Sequence, residues 1–233
     1  MDKYNVYQDM SRRTGGEIYL GIVGPVRTGK STFIKRFMEL VVIPEMSDDN
    51  EKVRTIDELP QSADGKTIMT TEPKFIPKEA AVIHFSNQET GKIRLIDCVG
   101  YLVPEAVGAI EEEKERMVKT PWSEEEIPFS KAAEIGTSKV IREHSNLGLI
   151  ITTDGSFGDI PAVNFEEALQ KTVMECEKAG KPFLILVNTS RPDSQETIQF
   201  TKRLEAQYGK TVMAVNCKTM DREDVFRIME QLL

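Results

Sequence analysis

The chain has 233 residues, of which 39% are hydrophobic and 29% charged, and its formal net charge is −8 at pH 7. This acidity argues against a nucleic-acid partner, because the phosphates would be repelled. Three widely spaced cysteines without a C-x-x-C pair, a polar start without signal-peptide character, and no apolar stretch near the roughly 20 residues of a transmembrane helix predict a cytosolic protein with reduced thiols.

The first predicted element is a strand, Ile18–Val23, that runs into the octapeptide GPVRTGKS and then into a predicted helix over Thr32–Leu40. The octapeptide matches G-x-x-x-x-G-K-S from Gly24 to Ser31, the phosphate-binding loop pattern in its strand–loop–helix context. Glycines let successive backbone N–H groups face a phosphate chain, and the helix N-terminus adds a positive field. We expect Lys30 to reach the β- and γ-phosphates and the Ser31 hydroxyl to ligate Mg²⁺. The pattern therefore predicts a nucleoside triphosphate site.

A long polar segment, Pro44–Glu72, comes next and is predicted to be a functional loop, because loops of this length are uncommon inside compact domains. Thr70 and Thr71 lie near its end, between the phosphate loop and the next motif. In switch-type nucleotidases a threonine at this point closes onto Mg²⁺ and the γ-phosphate. The position favours this role over that of β-favouring residues at a strand start, and it does not choose between the two threonines.

The next elements are two predicted strands, Lys74–Phe85 and Lys92–Cys98, joined by a turn around Thr90–Gly91 into an antiparallel hairpin. The second strand carries Asp97 near its end, and Gly100 follows three residues later. This D-x-x-G pattern is weak alone, but it gains weight after a strand and downstream of a phosphate loop. We predict that Asp97 ligates Mg²⁺, directly or through water, and that the Gly100 N–H lies near the γ-phosphate.

The remainder alternates apolar and amphipathic runs after a second long predicted loop, Gly100–Phe129. Leu147–Thr152 and Pro182–Val187 are continuous apolar runs, as expected for strands buried on both faces of a parallel sheet. Asp154 and Asp159 follow the first of these strands and either shape the switch region or form a turn. The other predicted elements are helices over about Phe129–His144, around Phe165–Cys176, over Ser194–Tyr208 and over Asp221–Leu233, and a strand over Thr211–Val215.

This alternation of strands and helices predicts the fold class and the domain organisation. We expect one α/β domain over residues 17–233, with a doubly wound, mostly parallel sheet and one antiparallel hairpin strand. Residues 1–16 are expected to form a separate N-terminal segment.

The order phosphate loop, switch threonine and D-x-x-G resembles the translation-factor-related GTPases, and it predicts a P-loop NTPase topology of that type. The guanine reader of that group, Asn-Lys-x-Asp, should follow the strand Pro182–Val187. Asn188 is in place, but Arg191 occupies the position of the aspartate that would accept guanine N1–H and the N2 amino group. Its loss should reduce discrimination for guanine by several kcal/mol. Asp193 is a less favourable substitute because Pro192 and the altered spacing intervene, so adenine is the expected base.

Several longer strings are more specific than these motifs. RTGGEIYL, DELPQSADGKTIMTTEPKF, RLIDCVGY, TPW and ITTDGSFGDI, together with the phosphate loop, resemble the stage IV sporulation protein A family over essentially all 233 residues. The resemblance implies the N-terminal ATPase domain of a spore coat morphogenetic protein, with further domains of the family beyond this chain. It also implies that ATP hydrolysis drives self-assembly into a static polymer.

The same resemblance implies a location and a set of partners. The location is the basement layer of the spore coat, on the outer forespore membrane in the mother cell. The partners are further copies of the chain, a small amphipathic membrane-bound sporulation peptide that acts as an anchor, and other coat proteins.

Tyr101 stands directly after the D-x-x-G motif, where many GTPases place a glutamine that orients the attacking water. A tyrosine is a poor substitute for an amide that both donates and accepts, so we expect slow intrinsic turnover, with the missing group supplied elsewhere. One hypothesis is that the Arg27 guanidinium is a built-in cation that stabilises transition-state charge, the alternative being an Arg27 that faces solvent or pairs with a carboxylate. Another is that a neighbouring subunit supplies Arg116, Arg142 or Arg191.

Two functions therefore stay open: an ATPase whose hydrolysis drives a shape change and assembly, and a binding module gated by ATP or GTP occupancy. The expected cofactors are ATP and Mg²⁺. The predicted catalytic residues are Arg27, Lys30, Thr70, Thr71 and Asp97, and the predicted metal ligands are Ser31, Thr70 and Asp97. Nucleotide contacts are predicted for Gly24, Arg27, Thr28, Gly29, Lys30, Ser31, Thr32, Gly100 and Asn188.

Overall fold

A mainly parallel β-sheet organises the part of the chain that this computed structural model describes, residues 16–60, 72–84, 90–106, 110–111 and 114–232. The described strands of the sheet are six: β1 (Glu17–Val23), β2 (Lys74–His84), β3 (Thr90–Asp97), β4 (Leu147–Thr153), β5 (Phe183–Asn188) and β6 (Val212–Val215). Their order across the sheet is β6-β5-β4-β1-β3-β2. The edge strand β2 runs antiparallel to β3, and all other neighbouring pairs in this sheet are parallel.

Within the described ranges, six α-helices accompany the sheet. They are α1 (Lys30–Phe37), α2 (Asp49–Glu58), α3 (Phe129–Lys139), α4 (Glu166–Ala179), α5 (Gln195–Tyr208) and α6 (Arg222–Leu232). A π-helical turn, Met38–Val42, extends α1, and another, Val140–His144, extends α3. Short 3₁₀ turns occur at Ile43–Glu45 and Ala162–Phe165. No helix in these ranges combines the length and the apolarity that crossing a membrane would require.

The strands bury side chains on both faces of the sheet, because successive strand residues point to opposite sides. One apolar layer joins β1, β4 and β5 to α1 and α6, through Leu20, Leu149, Leu186, Phe33 and Ile228. The other joins the same strands to α4 and α5, through Val23, Ile150, Ile185, Leu169 and Leu204. Burial on both faces explains why the parallel strands are continuous apolar runs in the sequence. The predicted doubly wound α/β fold with one antiparallel hairpin strand is confirmed.

Both segments predicted as long loops contain regular structure. Pro44–Glu72 includes α2, whose N-cap Asp48 accepts a hydrogen bond from the Asn50 N–H at 2.8 Å. This helix buries only Thr55, and its two apolar residues, Val53 and Ile56, are exposed, so no buried stripe signals it in the sequence. Gly100–Phe129 includes two short antiparallel hairpins, Ile110–Glu111 with Lys114–Glu115 and Met117–Thr120 with Ser123–Pro128. The loop predictions are wrong over these elements.

Two predicted boundaries also differ from the structure. Thr90 and Gly91 are paired residues of β3, opposite His84 and Ile83, so the turn predicted there is wrong. The connection between β2 and β3, residues 85–89, lies outside the described residues. Helix α1 begins at Lys30, earlier than predicted, because the preceding glycine of the phosphate loop is its N-cap.

Candidate functional site

The phosphate-loop sequence forms a tight turn between the carboxyl end of β1 and the N-terminus of α1. Three of its residues have positive φ: Gly24 at 127°, Gly29 at 93° and Arg27 at 65°. A Cβ on Gly24 would lie 2.3 Å from the Ile151 carbonyl oxygen, and one on Gly29 would lie 2.3 Å from Asn188 Nδ2. The surrounding space as well as the backbone conformation therefore requires glycine at both positions.

Lys30, the first residue of α1, folds its side chain back across this loop. It is buried, and its Nζ donates hydrogen bonds to the carbonyl oxygens of Pro25 at 2.6 Å and Gly24 at 3.3 Å. Burial lowers the pKa of the ammonium, whereas the nearby Cys98 and Asp97 side chains raise it. A buried cation held by neutral carbonyls can exchange these partners for anionic oxygens, which bind it more strongly.

Asp97 is the last residue of β3 and is paired with Ile22 of β1, which places it beside the start of the phosphate loop. Its Oδ1 is buried and has no hydrogen-bond partner among the described residues. Burial raises the pKa of this carboxyl to about 6, against the opposing effects of Lys30, the Cys98 N–H and Lys74. A buried carboxylate oxygen without a partner is uncommon, and such an oxygen is well suited to bind a cation.

Gly100 brings the turn after Asp97 directly onto the phosphate loop. Its φ is 93°, and a Cβ there would lie 2.0 Å from the Gly24 carbonyl oxygen and 2.8 Å from Lys30 Nζ. One residue later, the Tyr101 carbonyl accepts a hydrogen bond from the Val26 N–H at 2.9 Å. The two motifs recognised in the sequence therefore form one contiguous structure.

The Tyr101 side chain packs into the protein interior. It belongs to a small apolar cluster with Val26, Val103, Phe165 and Ala168. Burial raises the pKa of its hydroxyl, and the carboxylates of Glu175 on α4 and Glu134 on α3 raise it further. The ring therefore fastens the turn after Asp97 to α4, a role that its position in the motif did not indicate.

Asn188 uses both ends of its side-chain amide on protein partners. Its Nδ2 donates to the Thr28 carbonyl at 3.0 Å, and its Oδ1 accepts from the Cys217 N–H at 3.0 Å. The sequence predicted a nucleotide contact at this position, and the structure places Asn188 where it joins the phosphate loop to the carboxyl end of β6. Arg191, at the position of the missing base-reading aspartate, is exposed and forms an ion pair with Glu196 at 3.1 Å.

Three other predicted contact residues lie in or directly after the loop. Thr28 is buried, and its hydroxyl donates to the Pro25 carbonyl at 3.0 Å. Ser31 and Thr32 are half-buried in the first turn of α1. Ser31 is therefore at the helix N-terminus that its predicted role as a metal ligand requires.

Arg27 lies within the phosphate loop and is exposed. Thr70 and Thr71 lie outside the described residues, so their roles stay predictions.

The three arginines considered for a neighbouring subunit all have partners within the chain. Arg142 forms an ion pair with Glu175 at 2.6 Å, and Arg191 forms one with Glu196 at 3.1 Å. The Arg116 guanidinium lies 5.4 Å from the centre of the Phe129 ring. Each would have to exchange these contacts to act in a second copy.

Sequence reasoning missed a connection between the loops that follow β4 and β5. The Thr189 hydroxyl donates to Asp154 Oδ2 at 2.6 Å. Thr189 replaces the lysine of the guanine reader, so in the sequence it indicated only a lost motif. Asp154 was considered in the sequence only because it follows a predicted strand, and the sequence spacing gave no sign that it contacts Thr189.

Comparison with known proteins identifies the family. All 233 residues match the family model described as stage IV sporulation protein A, ATPase domain. The chain is 51% identical over 233 residues to stage IV sporulation protein A of Bacillus subtilis (strain 168) and 49% identical over 233 residues to that of Bacillus anthracis. It is 47% identical over 229 residues to that of Clostridioides difficile (strain 630). The alignments cover 98–100% of this chain and 47% of each relative, so the chain spans about half the length of the curated relatives it matches.

One solved structure supports the architecture. A crystal structure of a substituted variant of SsGBP has a TM-score of 0.50 with 14% sequence identity, and the match covers 97% of this chain and 58% of that one. At this identity the likeness concerns the fold alone.

Proposed function

The chain belongs to the stage IV sporulation protein A family, matching its ATPase domain over residues 1–233, and we propose that it binds ATP with Mg²⁺ and hydrolyses it. The observation that carries this proposal is the meeting of Lys30, Asp97 and Gly100 on the phosphate loop. A buried cation, a carboxylate oxygen without a partner among the described residues, and a glycine packed against the loop backbone are the parts that a Mg²⁺–triphosphate group needs.

The backbone of Gly24–Ser31 is the proposed cradle for the phosphates. Its two glycines hold conformations that side chains would block, so N–H groups of the loop can point toward one anion. Helix α1 starts within the motif and adds the positive end of its dipole. Lys30 then transfers its Nζ from the Pro25 and Gly24 carbonyls to phosphate oxygens.

The proposed metal ligands are Asp97, Ser31, and Thr70 or Thr71. Asp97 fits because the Oδ1 lone pairs are buried without a partner in the described chain, and a divalent cation would compensate them. Mg²⁺ bound there would neutralise charge on the β- and γ-phosphates. Ser31 supplies its hydroxyl from the first turn of α1.

Adenine is the proposed base. The position from which a carboxylate would read guanine N1–H and the N2 amino group is occupied by Arg191, which pairs with Glu196. Asn188 precedes the loop that follows β5, but its side-chain amide is hydrogen-bonded to Thr28 and Cys217. The selectivity for guanine should therefore be lost rather than transferred to another side chain.

Hydrolysis is proposed to be slow in the isolated domain. The group after Gly100 is a tyrosine whose ring is buried against Val26 and Phe165, so it offers no amide to orient water. We propose that Arg27, a residue of the phosphate loop itself, stabilises the negative charge that develops in the transition state. An arginine of a neighbouring copy, Arg116, Arg142 or Arg191, is the alternative supplier.

The larger role proposed for this domain is assembly. Hydrolysis would change the contacts of the turn after Asp97 and thereby promote self-assembly of the coat basement layer, at the forespore surface in the mother cell. The proposed partners are further copies, a small amphipathic membrane-bound sporulation peptide, and other coat proteins. Membership of the family and the contiguity of the phosphate loop with that turn support the proposed coupling.

A second candidate is a nucleotide-gated module in which occupancy alone recruits partners. The buried Tyr101 ring favours it, because a site without a water-orienting amide can bind a triphosphate and rarely cleave it.

Phosphate release from ATP and GTP, measured side by side with Mg²⁺, tests the proposal and separates the two candidates. We expect turnover with ATP, less with GTP, and none in Lys30→Ala. If the protein binds nucleotide without turnover and also self-assembles in the presence of a non-hydrolysable ATP analogue, the result would instead support the nucleotide-gated module. Faster turnover with GTP than with ATP would contradict the assignment of the base.

A further inference from the structure

Thr189 is a buried residue that ties together the loops after β4 and β5. It is 0% exposed, and its hydroxyl donates to Asp154 Oδ2 at 2.6 Å while accepting from the Arg191 N–H at 3.1 Å. Its own N–H donates to the Val215 carbonyl of β6 at 3.0 Å. One side chain and one peptide group thus link three parallel strands at their carboxyl ends.

A second contact reinforces this link. The other carboxylate oxygen of Asp154, Oδ1, accepts from the Ser156 N–H at 3.0 Å. The Ser156 hydroxyl in turn accepts from the Ser190 N–H at 2.8 Å. The backbone of the loop after β5 is therefore held at two successive residues, Ser190 and Arg191, by groups that Asp154 orders.

The network continues to the phosphate loop through the adjacent residue. Asn188 donates to the Thr28 carbonyl at 3.0 Å, and its Nδ2 contacts Gly29 so closely that a Cβ there would lie 2.3 Å away. Asn188 thus fixes the phosphate loop, and Thr189 fixes the loop that begins at Ser190. Because Asn188 and Thr189 are consecutive in the chain, they together set the distance between the phosphate loop and the loop that begins at Ser190.

We propose that Thr189 and Asp154 are positioning residues that hold the segment Ser190–Asp193 at the separation from the phosphate loop that a nucleotide base requires. The inference rests on the proposed function, since it assigns the base to this segment. A hydroxyl bonded to a carboxylate is a strong, directional contact, so it limits how far the segment can shift. Their hydrogen bonds hold the loop after β5 rather than the phosphate loop, so we expect their effect to be confined to the part of the ligand that carries the base.

The test compares a ligand with a base to one without it. Binding of ATP and of inorganic tripolyphosphate, each with Mg²⁺, is measured by calorimetry on the purified protein and its Thr189→Val variant. Valine keeps the shape and removes the hydroxyl, so we expect ATP affinity to fall about tenfold or more and tripolyphosphate affinity to stay within about twofold. Thr189→Ser restores the hydroxyl and should restore the affinity ratio.

A matched control separates positioning from general stability. Thr172 on α4 is also 0% exposed, and its hydroxyl donates to the Ala168 carbonyl at 2.7 Å. Thr172→Val should leave the ratio of the two affinities unchanged even if its thermal stability falls. Equal losses for both ligands in Thr189→Val, or no loss for either, would overturn the inference.

A second variant keeps the inference testable if Thr189→Val folds poorly. Ser156→Ala removes the half-buried hydroxyl that accepts from the Ser190 N–H and donates to the Thr189 hydroxyl, and it should lower the ratio of ATP affinity to tripolyphosphate affinity as Thr189→Val does. An unchanged ratio in Ser156→Ala would then contradict the inference. A wild-type protein that binds neither ligand would instead refute the proposed function.

Discussion

The backbone N–H of Val26 donates a hydrogen bond to the carbonyl oxygen of Tyr101 at 2.9 Å, which joins the phosphate loop to the turn after Asp97. Gly100, one residue earlier, packs against the Gly24 carbonyl and Lys30. The two segments therefore form one packed unit, and we expect a change in either to displace the other.

Gly100→Ala should break this unit. The new Cβ would lie 2.0 Å from the Gly24 carbonyl oxygen, on a backbone with a φ of 93°. We expect turnover with ATP to fall at least about tenfold and the free energy of unfolding to fall by about 1–3 kcal/mol. Phosphate release and urea unfolding are the measurements.

Gly209→Ala is the control for backbone strain alone. Gly209 ends α5 with a φ of 62°, and no atom lies within 4 Å of its added Cβ. This variant should lose stability and keep turnover. Wild-type turnover in Gly100→Ala would show that the turn does not need to contact the loop.

Asn188→Ala should weaken ATP binding as well as stability. It leaves the Thr28 carbonyl and the Cys217 N–H without their partner, which costs about 1–3 kcal/mol, and it releases the phosphate loop. Calorimetric titration with ATP and urea unfolding measure the two effects.

Asn146 offers a matched control at the opposite end of the sheet. Its Nδ2 donates to the Glu17 carbonyl at 3.0 Å and its Oδ1 accepts from the Tyr19 N–H at 2.9 Å, the same pattern as Asn188. Asn146→Ala should lose comparable stability with ATP affinity intact. If both variants lose affinity equally, Asn188 has no special role at the site.

Arg27→Asn tests the built-in cation. Asparagine tolerates the φ of 65° at this position, so the variant removes the guanidinium without adding backbone strain. We expect turnover to fall at least about tenfold while ATP binding persists. Phosphate release is the assay, and unchanged turnover would rule the role out.

The buried thiols should be unreactive in the folded protein. Burial raises the pKa of Cys176 and of Cys217 to about 12. At a pH of about 8 the thiolate is then much scarcer than in an unfolded chain, so alkylation of the folded protein should be strongly slowed. Mass spectrometry after iodoacetamide treatment, with and without urea, follows each site, and rapid alkylation of the native protein would contradict the burial.

The same thiols give stability a pH dependence. Because their pKa is higher folded than unfolded, their stabilising contribution is fully present below about pH 8.5 and declines as the pH rises toward 12. Urea unfolding across that range should show the free energy of unfolding decreasing, and Cys217→Ala should reduce the slope.

The sequence predicted the sheet and the strand–turn–helix arrangement of the phosphate-loop motif because both rest on local patterns. The apolar runs that became β4 and β5 and the glycines at 24 and 29 each report on their own surroundings. Helix α2 was missed because only two of its ten residues, Val53 and Ile56, are apolar, which is too few for a repeating pattern. The pairing of Thr189 with Asp154 was missed because it joins residues 35 positions apart, and only the strand order brings them together.

The central claim is a Mg²⁺-dependent ATP site whose metal ligand is Asp97, and its most direct test is ATP affinity with Mg²⁺ and with a chelator. In the wild type and in the control variant Asp57→Ala, chelation of Mg²⁺ should weaken ATP binding at least about tenfold. Asp57 is an exposed carboxylate of α2. In Asp97→Ala the affinities with and without Mg²⁺ should become equal. A wild-type dependence on Mg²⁺ that survives in Asp97→Ala would contradict the account.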